Sequence, residues 1–378
     1  MPDDLVLLTG ATGFLGRELA VRLAERGRLA LLVRRRESEL VEDLERRIKT
    51  TVFGDPNFQS RHELKIFVGD VTTSSVGLSR ADRSFLLGSS TQIIHGAAQI
   101  RFDLPLAEME RQNVGGTKHI LELADELHQR GALRRLDYVS TAYVAGDRTG
   151  TVYEHELDVG QSPRNAYEQS KLEAEKILRV ASKRLPVVVH RPSIIVGDSQ
   201  TGRASSFKVL YWPMKIYVRG RFSTIFGRPL CPVDVVPVDY VADAITALVD
   251  EPAAIGKTLH LAAGFEGQAT VGELVDLAER LLDGPPVDYV DPEIYLRYLR
   301  PIVRPLVRLL RPDVAEGAVF LPYLSNNPSF DTSVARGLLA PRGVRARSVL
   351  EYFDVIVRYA IETDFGRKAA ETKPARDS

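Results

Sequence analysis

Cysteine, tryptophan and methionine are scarce in this sequence. Its 378 residues include one cysteine, one tryptophan and three methionines. The single cysteine, Cys231, excludes a disulfide within the chain, and the scattered histidines form no Cys/His cluster at metal-ligand spacing. We therefore predict no metal site, and expect His95 and His190 to be structural.

The chain also lacks a net charge, a long hydrophobic run and a basic N-terminal region. Lysines plus arginines number 50, as do aspartates plus glutamates, so no overall field favours nucleic acid. The longest apolar runs, such as residues 29–33, are far shorter than the ~20 residues that a spanning helix needs. Asp3 and Asp4 stand where a signal peptide requires basic residues. We expect no targeting segment, no nucleic-acid partner and a cytoplasmic location.

Short apolar runs alternate with amphipathic helical patterns along the chain. The runs, many of them rich in β-branched residues, occupy residues 5–8, 29–33, 65–68, 92–95, 136–140, 186–191 and 258–262. Continuous apolar strands alternating with helices imply a parallel sheet covered on both faces. The predicted fold class is therefore α/β, with a doubly wound parallel sheet.

This alternation changes at about Thr201, where the sequence becomes aromatic, basic and interrupted by proline and glycine. We predict a first domain of residues 1–200 that is completed by 233–262. Residues 201–232 and 263–365 are expected to form a small C-terminal substrate-binding lobe at the carboxyl edge of the sheet, where ligands bind in such folds. Residues 366–378 are expected to be a flexible tail.

The first predicted strand runs directly into the glycine-rich sequence TGATGFLG, residues 9–16. Gly10 permits a tight turn, Gly13 lets the backbone approach a pyrophosphate, and Gly16 lets the helix pack on the strand. The helix N-terminus supplies oriented N–H groups for phosphates. The further cofactor contacts predicted in this loop are Thr12, Phe14 and Leu15. A glycine triplet after a strand and before a helix predicts a Rossmann-type dinucleotide-binding domain.

The second predicted strand should end beside the adenosine ribose of the dinucleotide. Sites that prefer NAD usually carry an acidic residue there, whereas this chain has LVRRR with Arg34. An arginine can pair with a 2′-phosphate, so we predict NADPH as the cofactor, with NADH possible. The alternative interpretation is a solvated basic run. Asp70, after the third strand, is expected to accept a hydrogen bond from the adenine amine.

These motifs together resemble the extended short-chain dehydrogenase/reductase family. The matching segments are TGATGFLG, GDVT (69–72), HGAA (95–98), NVGGT (113–117), VSTAYVAG (139–146), YEQSK (167–171), HRPSIIVG (190–197) and VVPVDYVADAI (235–245). They cover about the first 250 residues in the expected order. Within the family, the chain looks most similar to the thioester-reductase and fatty acyl-CoA reductase branch. The resemblance is weaker after about Phe265.

The resemblance implies a role for each matching residue. Tyr167 would be the general acid that protonates the alkoxide as hydride arrives from the nicotinamide. Lys171 would lower the pKa of Tyr167 and contact the nicotinamide ribose. Thr141 would bind the substrate oxygen, a role that the neighbouring Ser140 could also fill, and Asn113 would brace the site. The remaining cofactor contacts that it implies are Val71, Ala97, Ala98, Pro192 and Ser193.

The branch reduces CoA-bound or carrier-bound acyl thioesters to aldehydes or alcohols, and this is the function that the resemblance favours. A ketone in a polyketide-like or aromatic secondary metabolite is an alternative substrate. A dinucleotide-sensing regulator without turnover is a further alternative, although such proteins usually lack the Tyr–Lys pair. Sugar-nucleotide epimerases share the early motifs, but the apolar segment FKVLYWPMKIYV (207–218) suits a hydrophobic substrate better.

Two later segments bear on the substrate. Arginines recur every three or four residues from Arg297 to Arg311, which predicts either a solvated helix face or a dock for an acyl carrier protein, a CoA phosphate or an anionic membrane surface. The aromatic and aliphatic residues between Phe207 and Phe226 predict a hydrophobic channel that leads to Tyr167.

Overall fold

A seven-stranded parallel sheet organises the chain, whose computed structural model describes residues 4–219, 224–291 and 318–368. Its seven strands coincide with the seven apolar runs. Their order across the sheet is β12 (Thr258–Leu261), β7 (Val187–Pro192), β5 (Arg135–Val139), β4 (Ser90–His95), β1 (Leu5–Thr9), β2 (Arg28–Val33) and β3 (Leu64–Val68). All of its neighbouring strands are parallel. The doubly wound α/β prediction is confirmed. The chain leaves β1 toward β2 and β3 on one side and returns to β4 on the other, which creates a ligand-binding crevice at the carboxyl ends.

The strands have the following bounds: β1 Leu5–Thr9, β2 Arg28–Val33, β3 Leu64–Val68, β4 Ser90–His95, β5 Arg135–Val139, β6 Thr151–Val152, β7 Val187–Pro192, β8 Ile194–Val196, β9 Thr224–Phe226, β10 Pro232–Val233, β11 Val235–Pro237, β12 Thr258–Leu261, β13 Ala269–Thr270, β14 Asp288–Val290 and β15 Ser329–Phe330.

The α-helices have the following bounds: α1 Phe14–Arg26, α2 Val41–Phe53, α3 Arg80–Ser89, α4 Leu106–Met109, α5 Gly115–Gln129, α6 Ala166–Ala181, α7 Tyr211–Val218, α8 Val238–Leu248, α9 Gly264–Gly267, α10 Val271–Leu282, α11 Ser333–Leu339 and α12 Phe353–Glu362. A π-helical turn at Glu110–Val114 joins α4 to α5. Short 3₁₀ segments lie at Ser74–Gly77, Ala142–Ala145, Pro252–Ala254, Ala318–Leu324, Ala340–Arg342 and Val349–Glu351.

The chain divides into two compact units. The first comprises the described residues of Met1–Ser193, Asp239–Ala262 and Phe330–Ala346. It contains the sheet, whose core joins strand residues such as Leu7 and Ile93 to helix residues such as Ile120. Burial on both faces explains why these strands read as continuous apolar runs.

The second unit comprises the described residues of Ile194–Val238, Ala263–Ser329 and Arg347–Ser378. It holds three two-stranded ladders, in which β8 pairs with β11, β9 with β14, and β10 with β13. The predicted arginine-bearing face from Arg297 to Arg311 lies outside the described residues, as does Phe222 of the aromatic segment. Within the described ranges, no helix has the length and apolar character that crossing a bilayer requires.

Candidate active site

The glycine loop between β1 and α1 depends on the absence of side chains at two positions. Gly10 has φ +81°, and a Cβ there would lie 2.6 Å from the backbone nitrogen of Ala97. A Cβ on Gly16 would collide with the carbonyl oxygen of Gly10. Gly13 precedes the first residue of α1, and its N–H donates to the carbonyl of Gly10 at 2.9 Å. The loop therefore presents backbone at the start of a helix.

A cleft of about 380 Å³ opens beside this loop. Seven of the predicted cofactor residues line it: Gly10, Thr12, Gly13, Arg34, Val71, Ala97 and Ala98. Phe14 and Leu15 begin α1 instead and are not part of its lining. Backbone and small side chains line one part of the cleft, and basic side chains line another. The cleft therefore fits the pyrophosphate and adenosine of a dinucleotide.

The basic end of the cleft contains more arginine side chains than the sequence predicted. Arg34 lines it with a side chain that is 69% exposed, and Arg35, Arg36 and Arg47 line it as well. Asp70 has one oxygen bound by the backbone N–H and hydroxyl of Thr72, each at 2.8 Å. Its other oxygen lies 3.9 Å from Arg34 Nη1. Four arginines suit a phosphate on the ribose better than a bare hydroxyl.

Sequence reasoning missed Arg47 because it lies on helix α2, 13 residues after Arg34. Arg47 Nε donates to Glu39 Oε1 at 2.6 Å, and its Nη2 donates to the Arg34 carbonyl at 3.2 Å. The Arg47 guanidinium also holds the pKa of Glu39 at about 2. This pairing fixes Arg47 at the wall of the cleft, and only the fold brings the two segments together.

Helix α6 presents Tyr167 in its first turn. Asn165 caps the helix, its side-chain oxygen accepting the Glu168 N–H at 2.9 Å. The hydroxyls of Tyr167 and Thr141 share a hydrogen bond, so the end of β5 and the start of α6 meet at the two predicted residues. The ring of Phe102 stacks on Tyr167 with a centroid separation of 5.4 Å. Phe102 is a second residue that the sequence did not indicate.

Lys171 lies one turn further along α6 and is buried. Its ammonium donates to the Tyr138 hydroxyl and to the Val139 carbonyl, each at 2.7 Å. Burial lowers the pKa of Lys171 to about 7, against the opposing charge of Glu175. The expected lowering of the Tyr167 pKa is not found, because burial of the phenol raises that pKa.

The Tyr138 hydroxyl continues a directed chain of hydrogen bonds. It bonds to Thr117, whose hydroxyl donates to the Asn113 carbonyl at 2.7 Å. An ammonium can only donate, so Tyr138 accepts from Lys171 and must donate onward. These hydrogen bonds fix the position of the Lys171 ammonium inside the first unit.

Asn113 joins three segments of the site from within the π-helical turn. Its Nδ2 donates to Ser170 Oγ at 2.8 Å and to the Gln99 carbonyl at 3.1 Å. Its Oδ1 accepts the Gln99 N–H at 2.8 Å. Ser170 in turn donates to the Tyr167 carbonyl at 2.8 Å. These contacts suit the bracing role that the resemblance implied, and π turns often occur at functional sites.

The structure separates Thr141 from its neighbour Ser140. The Ser140 hydroxyl donates to Glu175, which leaves Thr141 as the hydroxyl beside Tyr167. Pro192 ends strand β7 and pairs in register with Leu261 of β12. Ser193 follows, with a buried hydroxyl that has no hydrogen-bond partner among the described residues.

The two histidines lie inside the sheet. The ring of His95 hydrogen-bonds Thr9 Oγ1 at 2.7 Å, and burial lowers its pKa to about 3. His190 Nε2 lies 2.7 Å from Asp137 Oδ1. In the part of the chain that the structure describes, no group of three His, Cys, Asp or Glu residues could hold a metal ion.

Comparison of the sequence with known proteins assigns this chain to a family. A family model described as Male sterility protein, an NAD-binding family, matches residues 8–245. The fatty acyl-CoA reductase wat of Drosophila melanogaster is 28% identical over 65% of this chain and 54% of its own length. The carboxylic acid reductase of Mycobacterium marinum is 28% identical over 89% of this chain and 30% of its own length. This chain therefore spans about half of such relatives, or less.

Solved structures agree on the fold. The terminal R domain from the myxalamid PKS-NRPS biosynthetic pathway matches with a TM-score of 0.79 at 26% identity, covering 97% of this chain and 92% of that one. UDP-glucuronic acid 4-epimerase from Bacillus cereus, solved in complex with NAD, matches with a TM-score of 0.65 at 17% identity over 97% of this chain and 99% of its own; this shows the shared fold alone. The chain belongs to the NAD-binding family described as Male sterility protein, within the extended short-chain dehydrogenases/reductases.

Proposed function

We propose that this chain is an NADPH-dependent reductase of a hydrophobic acyl thioester, producing an aldehyde or alcohol. The observation that carries the proposal is the meeting of Tyr167, Thr141 and Lys171 at the carboxyl ends of the strands that also form the dinucleotide cleft. The Tyr–Lys pair argues against a regulator that binds cofactor without turnover.

The nicotinamide of NADPH would supply a hydride to the thioester carbonyl carbon. Side chains of this protein would bind and protonate the oxygen of that carbonyl. Thr141 and Tyr167 would both donate hydrogen bonds to it, and the Tyr167 proton would pass to the oxygen as charge develops. Collapse of the resulting hemithioacetal releases the thiol and leaves an aldehyde. A second hydride transfer to the aldehyde, with a second proton, would give the alcohol.

The arginines support NADPH over NADH. Arg34, Arg35, Arg36 and Arg47 line one end of the cleft, and guanidinium groups match phosphate oxygens in geometry and charge. The 2′-phosphate is the group that distinguishes the two cofactors at this end.

An apolar cavity in the second unit supports a hydrophobic substrate. It has a volume of about 70 Å³. Every lining side chain is aliphatic, aromatic, proline or methionine, among them Leu210, Met214, Leu274 and Phe353. A sugar nucleotide needs polar partners that this lining does not offer. We propose that the cavity accepts part of the acyl chain.

The names of two similar proteins support the thioester class, because one names an acyl-CoA and the other a thiolation domain. A fatty acyl-CoA reductase, carboxylic acid reductases and a linear gramicidin synthase of Brevibacillus parabrevis share 28–29% identity with this chain. One matched structure is a thiolation-reductase di-domain from an archaeal non-ribosomal peptide synthetase. We propose on this basis that the acyl group arrives on CoA or on an acyl carrier protein.

Turnover of a panel of candidate substrates tests the proposal directly. The purified chain is incubated with NADPH and a matched panel of acyl-CoA thioesters, aldehydes, aromatic ketones and UDP-glucuronate, and nicotinamide absorbance is followed. We expect oxidation of NADPH with long-chain thioesters, and the ratio of NADPH consumed to thiol released distinguishes aldehyde from alcohol as product. Turnover of ketones alone, or of UDP-glucuronate, would replace the thioester proposal.

A further inference from the structure

A buried ion pair lies directly behind the candidate active site. Glu175 on α6 and Arg191 on β7 are 3% and 0% exposed. Arg191 Nε lies 3.0 Å from each oxygen of Glu175, and Arg191 Nη2 lies 2.7 Å from Oε2. Burying two charges is unfavourable even when they are paired, so the other contacts of this pair indicate what it contributes.

Glu175 has a second hydrogen-bond partner at the end of strand β5. The Ser140 hydroxyl donates to Glu175 Oε1, and the Ser140 N–H donates to the His190 carbonyl at 2.7 Å. Ser140 directly precedes Thr141. The helix that presents Tyr167 therefore also holds the strand end that presents Thr141, through one carboxylate.

Arg191 is satisfied on its remaining sides. Its Nη1 donates to the Glu156 carbonyl at 2.9 Å and lies 3.3 Å from His260 Nε2. The guanidinium thus neutralises Glu175 by contacting both of its oxygens, and Oε1 also accepts the Ser140 hydroxyl. The arrangement fixes the carboxylate in one orientation.

Glu175 also acts on Lys171, which lies one helical turn before it. The titratable or charged groups around Lys171 are Tyr138 of β5, His95 of β4, Tyr167 and Glu175 of α6, and Arg191 of β7 behind Glu175. Among them, the Glu175 carboxylate opposes the fall in the Lys171 pKa that burial causes. His95 is neutral, because burial lowers its pKa to about 3.

We propose that Glu175 is a positioning residue for the reduction: through Ser140 it fixes the strand end that carries Thr141, and its negative charge, one helical turn from Lys171, stabilises the ammonium form of that residue. The inference rests on the proposed reductase function. It assigns a task to a residue that touches neither substrate nor cofactor.

Three variants separate the two effects. Ser140→Ala removes the tether and keeps the charge, whereas Glu175→Gln removes the charge. Because Glu175→Gln leaves Arg191 buried without a counter-charge, the double variant Glu175→Gln/Arg191→Met removes both charges and protects folding. Glu154→Gln is the matched control, since Glu154 is a buried carboxylate whose partners are the backbone N–H groups of His260, Val334 and Ala335.

We expect Ser140→Ala to lower kcat about tenfold, which is the effect of losing one hydrogen bond to a charged group. The pH dependence of kcat should stay unchanged in this variant. Glu175→Gln should lower kcat similarly and move the alkaline limb to lower pH. The double variant should recover unfolding stability but not kcat, while Glu154→Gln keeps both kcat and the profile. Recovery of wild-type kcat by the double variant, or unchanged kcat in Ser140→Ala, would show that the pair is structural only.

The pH dependence of NADPH affinity supplies a readout that needs no substrate. Titration by nicotinamide fluorescence should show affinity falling as Lys171 loses its proton, and in Glu175→Gln the fall should occur at lower pH than in the wild type. An unchanged midpoint overturns the inference. A shifted midpoint without turnover of any substrate supports the inference and rejects the proposed function instead.

Discussion

At the scale of single residues, the phenol of Tyr167 is the group on which the proposed chemistry depends. It shares a hydrogen bond with Thr141, and burial keeps it protonated by raising its pKa. Tyr167→Phe removes only the hydroxyl, so cofactor binding and unfolding stability should change little. General acid catalysis contributes ~10²–10⁴-fold, and kcat should fall by at least that order. Steady-state kinetics with NADPH check this, and more than a tenth of wild-type turnover would remove Tyr167 from the mechanism.

Arg34 offers the test of cofactor preference. A charge-assisted hydrogen bond of ~1.5–3 kcal/mol to a 2′-phosphate corresponds to a roughly tenfold to hundredfold loss of NADPH affinity in Arg34→Ala. NADH affinity should hardly change, because that cofactor has no phosphate there. Arg46→Ala is the control, as Arg46 is an exposed arginine of α2 that does not line the cleft. Equal use of both cofactors by the wild type would contradict the assignment.

The sequence allowed Tyr167, Thr141 and Lys171 to be named because the family motif fixes their spacing. The partners of these residues could not be named in the same way. Phe102 and Tyr138 meet them only in the folded chain. Arg47 lies in a helix without any motif, and Glu39 orients it only after folding. Tertiary contacts of this kind leave no local pattern in a single sequence.

At the scale of elements, helix α11 begins on a buried carboxylate from a distant loop. Glu154 accepts the N–H groups of Val334 at 2.6 Å and Ala335 at 3.0 Å. Burial raises the Glu154 pKa to about 7, above the ~4.3 of an unfolded chain. The native state therefore binds a proton that the unfolded state has released, and the stability from this group is lost as pH rises through 7.

Glu154→Gln isolates that contribution. The free energy of unfolding of the wild type, relative to the variant, should fall by about 2–3 kcal/mol between about pH 5 and about pH 8. Taking the difference cancels other groups, such as His260, whose pKa burial lowers to about 3. Denaturant titrations at both pH values measure it. A difference that is independent of pH would show that Glu154 is not the titrating group.

The seven strands of the main sheet were predictable because each is a short apolar run between helical patterns. The short ladders were not, since a pair such as Pro232–Val233 with Ala269–Thr270 joins two residues to two others far along the chain. The π turn at Glu110–Val114 was also missed, because its sequence is as helical as its neighbours. Neither non-local strand pairing nor a local irregularity in a helix can be predicted from the periodicity of apolar residues.

At the scale of the whole molecule, we propose that the first unit binds the cofactor and that the second unit determines substrate specificity. Ala278 on α10 lines the apolar cavity. Ala278→Leu should fill part of it and shift the preferred acyl chain to shorter lengths, each lost methylene contact reducing binding by about 0.8 kcal/mol. NADPH affinity should stay constant. Relative kcat/KM across a homologous acyl-CoA series measures the shift.

The matched control for this prediction is Asp276→Leu, an equal aliphatic residue at an exposed position of α10. It should leave the chain-length profile unchanged. If Ala278→Leu also leaves the profile unchanged, the cavity is packing space within the unit and the acyl chain binds elsewhere.

Each unit is assembled from three separate stretches of chain, and this has a consequence for synthesis on the ribosome. Strand β12 pairs with β7, yet residues 193–257 emerge between them. A nascent chain that has released only the first six strands of the sheet exposes the edge of β7, and uncovered edges are prone to intermolecular pairing. The edge of β7 therefore stays unpaired while the residues between β7 and β12 are synthesised, until β12 leaves the exit tunnel. We expect chains truncated between β7 and β12 to aggregate.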